Sequence, residues 1–312
     1  MLRPMSSGII TFALALAAVP PATDEALLSA EPQGSQGTTI IVTPPPTESE
    51  RRQELRDFTK QIIRSPRLRQ PVAKFLYPVC VKVLGLAAPD AEAIAQRIRA
   101  HAREFGIGSD DNPDCIPTVK VAFMAPEAGP PERWLSADSP SIAHLAGYQR
   151  EQVLSEAGPV RAWNRVAVRD VNGRAFRVRL GDQARFPEYT EVEAFNSSDP
   201  IVTTEITGAA VLISREAAHG FTLAQLADYA TVRTLVGTSA PSQNGSVPAP
   251  TILSLFDDAE PPAEMTSFDR ALLAELYNAS RNSSARRVYN DIARSAAETE
   301  RATGSQADTL GQ

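Results

Sequence analysis

Histidine is scarce in this chain: His101, His144 and His219 are the three among 312 residues. None falls in an H-E-x-x-H or H-x-H pattern, so no two imidazoles are pre-spaced to share a zinc ion. His101 reads onto the polar side of a helix and His144 into a short helical piece. His219 precedes Gly220 in the turn between a strand and a capped helix, and loops in that position often carry sites. Carboxylates gather at Asp257, Asp258 and Glu260, where a hard cation would find oxygens, but the spacing is not that of a calcium loop. A second group is Glu188, Glu191 and Glu193. Two of these share a face if the segment is a strand, yet nothing fixes the separation a glycosidase pair needs. Asp228 and Tyr229 adjoin on a helix. Their spacing from Leu226 and Ala230 predicts an exposed carboxylate and a tyrosine that covers the core with its hydroxyl in water.

Other nucleophile and phosphate patterns are missing from the sequence. There is no G-x-S-x-G elbow, no G-x-x-x-x-G-K-[ST] loop and no G-x-G-x-x-G turn. The candidate site set is therefore His219, Asp228, Tyr229, Asp257 and Asp258, with no catalytic residue, metal ligand set or cofactor assigned. The two cysteines, Cys80 and Cys115, are expected to pair with each other, because an even count in an exported chain reads as a disulfide. Closing a loop of that length removes roughly 3–4 kcal/mol of unfolded-state entropy.

The export reading comes from residues 1–25. Arg3 gives a short positive region, Gly8–Val19 is an apolar run, and Ala15, Ala17 and Ala18 offer A-x-A-like cleavage sites before Pro20 and Pro21. The run is shorter than the ~20 residues a membrane-spanning helix needs, and no later stretch is apolar enough to span a bilayer. The expected location is periplasmic or secreted, without a transmembrane segment after signal removal. Hydrophobic residues make up 43% of the chain but aromatics only 6%, so Ala, Val, Leu and Ile must fill the core. The formal net charge of −6 argues against a nucleic-acid partner. The basic cluster Arg51, Arg52, Arg56, Arg64, Arg67 and Arg69 reads as a solvated helix face.

Residues 26–49 read as a flexible leader in which Thr38–Thr43 is a possible edge strand. Residues 50–125 read as an α/β unit that holds the disulfide, residues 126–302 as an α+β unit, and residues 303–312 as a disordered tail. Thr47 or Ser49 caps a first helix whose face is Leu55, Phe58 and Ile62. A clearer helix spans 90–105, with Ile94, Ala95, Ile98 and Ala102 inward and Arg97, Arg99 and Arg103 outward. Thr118–Met124, Val160–Val168, Arg174–Leu180, Ile201–Ile206 and Ala209–Ser214 read as strands, and Asn172-Gly173 marks a hairpin turn. Thr222 caps a helix at 223–236, Thr266 or Ser267 another at 268–277, and a last helix covers 284–301. The fold class expected is α+β: a mixed sheet with helices packed mainly on one face and one disulfide in the N-terminal unit.

Several of these segments carry a resemblance. Val79–Leu86 (VCVKVLGL), Ala95–Arg99 (AQRIR), Cys115-x-Pro117 and Leu223–Ala230 (LAQLADYA) are similar to a family of exported alphaproteobacterial proteins of unknown function, over most of residues 38–290. Residues 209–280 also resemble the C-terminal half of exported zincin-like metalloproteases. That resemblance implies a helix bearing H-E-x-x-H, with histidines on zinc and the glutamate as base. The stretch in that place here, Leu226–Val232 (LADYATV), has no histidine, so it implies the scaffold without the metal chemistry.

The resulting expectation is an exported protein that is not a catalyst and binds an envelope component or a protein partner. The alternatives are a divergent zincin-like peptidase built on Asp228, His219 and the Asp257–Asp258 loop, or a periplasmic small-molecule binder with one apolar pocket.

Overall fold

The apolar Ala209–Ser214 segment lies in one of the two inner strands of the sheet. In the computed structural model, residues 46–63, 71–170, 172–174, 202–241, 247–257 and 260–310 are described. Residues 1–25, read above as a signal, the Thr38–Thr43 segment, Arg64, Arg67, Arg69, the strand expected at Arg174–Leu180 beyond Arg174, the Glu188–Asn196 group and Asp258 lie outside the described residues.

Helix α1 (Glu48–Ile62) leads to strand β1 (Val81–Leu84), helix α2 (Ala88–Glu104) and strand β2 (Val119–Met124). Helix α3 (Gly147–Leu154), strands β3 (Val160–Asp170) and β4 (Val202–Ser214), and helices α4 (Leu223–Leu235), α5 (Ser267–Asn278) and α6 (Ala285–Leu310) follow. The sheet order is β1-β2-β4-β3, parallel from β1 to β4 and antiparallel between β4 and β3. The mixed α+β architecture is thus the one expected. The sheet also crosses the division expected near residue 125, since β2 before it pairs with β4 after it, and the described residues belong to one compact unit.

Helices cover one face heavily. Val81 and Val83 of β1, Val119, Val121 and Phe123 of β2, and Ala209, Val211 and Ile213 of β4 alternate into a core shared with α1, α2, α4, α5 and α6. The opposite face carries a smaller cluster, where Ile142, Leu145 and Val153 of the α3 region pack on Trp163 and Leu212. The Ile142–Leu145 piece is a set of turns rather than a helix; Leu145 N–H bonds Ile142 O at 2.9 Å.

Two strands expected at 201–206 and 209–214 are one. The Thr207-Gly208 break is a bulge: Arg165 pairs with Gly208 and Val166 with Ile206, leaving Thr207 extra. Helix starts follow the capping residues. Thr47 and Glu50 exchange hydrogen bonds, as do Thr222 and Gln225, and Thr266 and Asp269. The last helix runs on to Leu310, into the stretch expected to be a disordered tail.

Cys80 and Cys115 are joined, as expected, with Cα atoms 6.1 Å apart. A disulfide is compatible with an extracellular or periplasmic protein. Among the described residues no helix is long and apolar enough to cross a membrane.

Candidate functional site

The polar residue most at odds with its sequence reading is Asp228. It was expected on an exposed helix face, yet it is 0% exposed. From Leu226 to Leu235 every residue of α4 is buried, because the helix is sandwiched between the sheet, α2 and the Ile252–Ser254 turn. A helix enclosed all round keeps no solvent face for its polar positions.

Both Asp228 oxygens are fully engaged. Oδ1 accepts from Arg97 Nε at 2.6 Å and lies 2.8 Å from His101 Nε2. Oδ2 accepts from Arg97 Nη2 and from the Met265 N–H, each at 2.7 Å. The fork of Arg97 meets the carboxylate bidentately, the strongest geometry for such a pair. Burial opposes the charge, but the hydrogen bonds from Arg97, His101 and Met265 outweigh it and hold the carboxyl well below the usual carboxylate range.

The chain of contacts continues outward. His101 Nδ1 lies 3.1 Å from Glu104 Oε2, and Glu104 Oε1 accepts from Arg270 Nη1 at 2.5 Å. So α2, α4 and α5 are joined by alternating charge. His101, expected on the polar side of its helix, is buried, and Arg97, expected outside, turns its guanidinium inward with the side chain 31% exposed.

Tyr229 also departs from expectation, for its hydroxyl is not in water. The residue is buried, the hydroxyl accepts from Arg233 Nη1 at 3.0 Å, and Arg233 Nη2 donates to Glu156 at 2.5 Å. The ring stands edge-on to Phe256 with centroids 5.0 Å apart. Burial above all pushes the phenol up to about 12. Tyr229 therefore packs as a neutral phenol against Phe256 and steadies Arg233, which ties α4 to the loop that precedes β3.

Of the remaining candidates, Asp257 comes near enough to Tyr229 for its charge to help raise the phenol, and nothing places His219 beside either residue. His219 is exposed in the β4–α4 turn, and Asp257 is exposed after the Ile252–Ser254 turn. Among the described residues no three His, Cys, Asp or Glu side chains are grouped to hold a metal ion.

Sequence reasoning missed several buried polar groups, Asp269 and Lys74 among them. Asp269 accepts from Thr251 Oγ1, the Ile252 N–H and both donors of Thr266, so it stitches the start of α5 to the turn before it. The T-x-x-D spacing was its only signal. Lys74 donates to Leu276 O and Ala279 O at the carboxyl end of α5, and burial, with Arg281 nearby, pushes it down to about 8. No spacing announces it, because Lys74 reaches α5 only once its segment bonds to Thr204 and Ile206 of β4.

Two of the concavities among the described residues adjoin the sheet. A trough of about 470 Å3 runs past β3 between α3 and the ends of α1 and α4. Its walls include Trp163, Ile206 and three exposed apolar groups: Tyr148 at 63%, Val168 at 47% and Val166 at 38%. Asn164 also lines it, donating Nδ2 to Thr234 O while its Oδ1 has no hydrogen-bond partner among the described residues. A cleft of about 620 Å3 lies at the other side of the sheet, between β1, α2 and the disulfide. No family model, curated protein or solved structure matches the chain.

Proposed function

We propose that this chain is an exported protein that is not a catalyst and holds a protein partner or other envelope component. Its trough beside α3 is the contact surface in this reading. The observation that carries it is the run of exposed apolar side chains, Tyr148, Val166 and Val168, set in a concave wall floored by Trp163. Exposed apolar groups gathered in a concavity mark interaction sites, whereas single ones do not. The export and location readings rest on residues 1–25, and the disulfide is compatible with them.

The competing peptidase reading requires Asp228 to ligate a metal. Each of its oxygens already takes two hydrogen-bond donors inside the α2–α4 junction, which favours a structural role. The test is site-specific photocrosslinking of the mature chain to an envelope fraction, with the photoreactive residue at Val168 or, as control, at exposed Gln53 of α1. A discrete adduct from position 168 alone is expected. Equal adducts from both positions, or near-stoichiometric zinc that survives dialysis, would overturn the reading.

A further inference from the structure

The cleft beside β1 has a polar edge with a defined direction. Cys80 faces β2: its carbonyl accepts from Thr118 N–H at 3.0 Å and Val119 N–H at 2.9 Å, and its N–H donates to Thr118 Oγ1. Val79 faces the other way. Its N–H donates to Gly108 O at 3.2 Å and its carbonyl accepts from Asp110 N–H at 2.9 Å, a parallel bridge centred on Ser109. Main-chain groups along a strand turn alternately to its two edges. Val81 and Val83 therefore present N–H and C=O to the side that Val79 uses. β1 is the last strand of the sheet there, and among the described residues these groups take no partner on that side.

The segment that begins to pair with this edge turns away at once. Asp110 Oδ1 accepts from the Asn112 N–H, Asn112 Oδ1 accepts from the Asp114 N–H, and the disulfide ties Cys115 back to Cys80. Beyond it the cleft stays open because α2 presents Ala88, Ala91 and Ala95 toward β1.

We propose that this cleft takes an extended peptide segment of a partner polypeptide, which continues the line of Gly108–Asp110 and adds to β1 as a parallel strand. The chemistry that matches N–H and C=O groups at every second residue of an open edge is another extended main chain. Val79 shows that the edge accepts a parallel neighbour. The small α2 side chains leave room for the apolar side chains of such a segment. Of the lining carboxylates, Glu92 is already matched by Arg99 and Asp111 by Arg99 and Arg103, so the main chain rather than charge selects the segment. The corner that ends this edge is tightly packed. Gly85 closes β1 at φ +84, and a Cβ there would stand 2.1 Å from Phe123 O, so the β1–α2 corner admits only glycine. This site is separate from the trough, so it stands or falls apart from the reading above.

The test uses the mature, disulfide-bonded chain and a synthetic peptide of alternating threonine and valine with a lysine at each end, acetylated and amidated. Saturable binding is expected, with slowed amide hydrogen exchange at Val81 and Val83. A counterpart N-methylated at each threonine and valine loses the donors and should bind weaker by roughly tenfold or more. Ala91→Phe fills the cleft and should abolish binding while melting near the wild type; if that variant does not fold, the methylated peptide still decides the question on the native chain. Equal binding of the two peptides, protection confined to the trough, or no protection up to the solubility of the peptide would overturn the proposal. So would self-association of the chain through this edge that the peptide does not displace.

Discussion

The two sides of α2 treat polar groups in opposite ways. Toward α4, Arg97 and His101 close on Asp228, and every oxygen of that carboxylate has two donors. Toward β1, the same helix presents Ala88, Ala91 and Ala95, and the main-chain groups of Val81 and Val83 stand beside an open cleft. The difference follows from what each side packs against. A second helix brings side chains that can reach a charge, and in a dry junction an unmatched charge costs several kcal/mol, so the partners must all be present. A sheet edge brings only backbone groups, which water satisfies until another strand arrives. The saturated side holds the fold together and the open side is free to bind.

The comparison breaks most sharply at Asp228. Asp228→Ala leaves Arg97, His101 and the Met265 N–H without their acceptor, and it should lower stability by about 3–5 kcal/mol. The lower end is expected, because the Arg97 head can turn to water. Urea unfolding with an unchanged slope is the measurement. The pH dependence sharpens it. Folded Asp228 ionises more readily than the unfolded residue, so its contribution is complete above the ordinary value of 3.8 and is lost as pH falls below it. Wild-type stability should fall more steeply with acid than that of Asp228→Asn; parallel curves would show that the junction does not depend on this charge.

Next in size is the disulfide on the open side. Replacing Cys80 and Cys115 by alanine should cost about 3–4 kcal/mol through the freed loop. It should also speed exchange of the Asp110 amide, whose bond to Val79 O lies beside the bridge, while leaving the His101 side chain shifts in place. Loss of both regions together would mean that α2 transmits strain from one side to the other. The smallest effect is expected at the outer end of the charged chain. Arg270 and Glu104 are each about two-fifths exposed, so Arg270→Ala should cost at most about 1 kcal/mol, read as a small shift in the denaturation midpoint. A larger loss would mean that the junction is one cooperative network up to its solvent end.

Much of the framework was legible in the sequence. Thr47, Thr222 and Thr266 start helices because a hydroxyl that accepts a backbone N–H needs only its own next turn. Leu55, Phe58, Ile62, Ile94, Ile98 and Ala102 are buried on the faces that their spacing assigns. Cys80 and Cys115 pair with each other, as their even count led one to expect. Those readings rest on local geometry or on simple counting. The site residues were a different matter. Helical spacing places Asp228 two positions from its apolar neighbours and so on the outside, but it cannot say that α2 will lie across that outside. Nor can it say that Arg97 and His101, one turn apart on α2, will both point there. Lys74 meets the end of α5 more than two hundred residues away only through the sheet. Local sequence thus determined where helices and strands begin and which face of most is apolar, since those depend on neighbours within a turn. Tertiary structure alone decided which charges are buried and which strand edge stays open, since those depend on which element is packed against which.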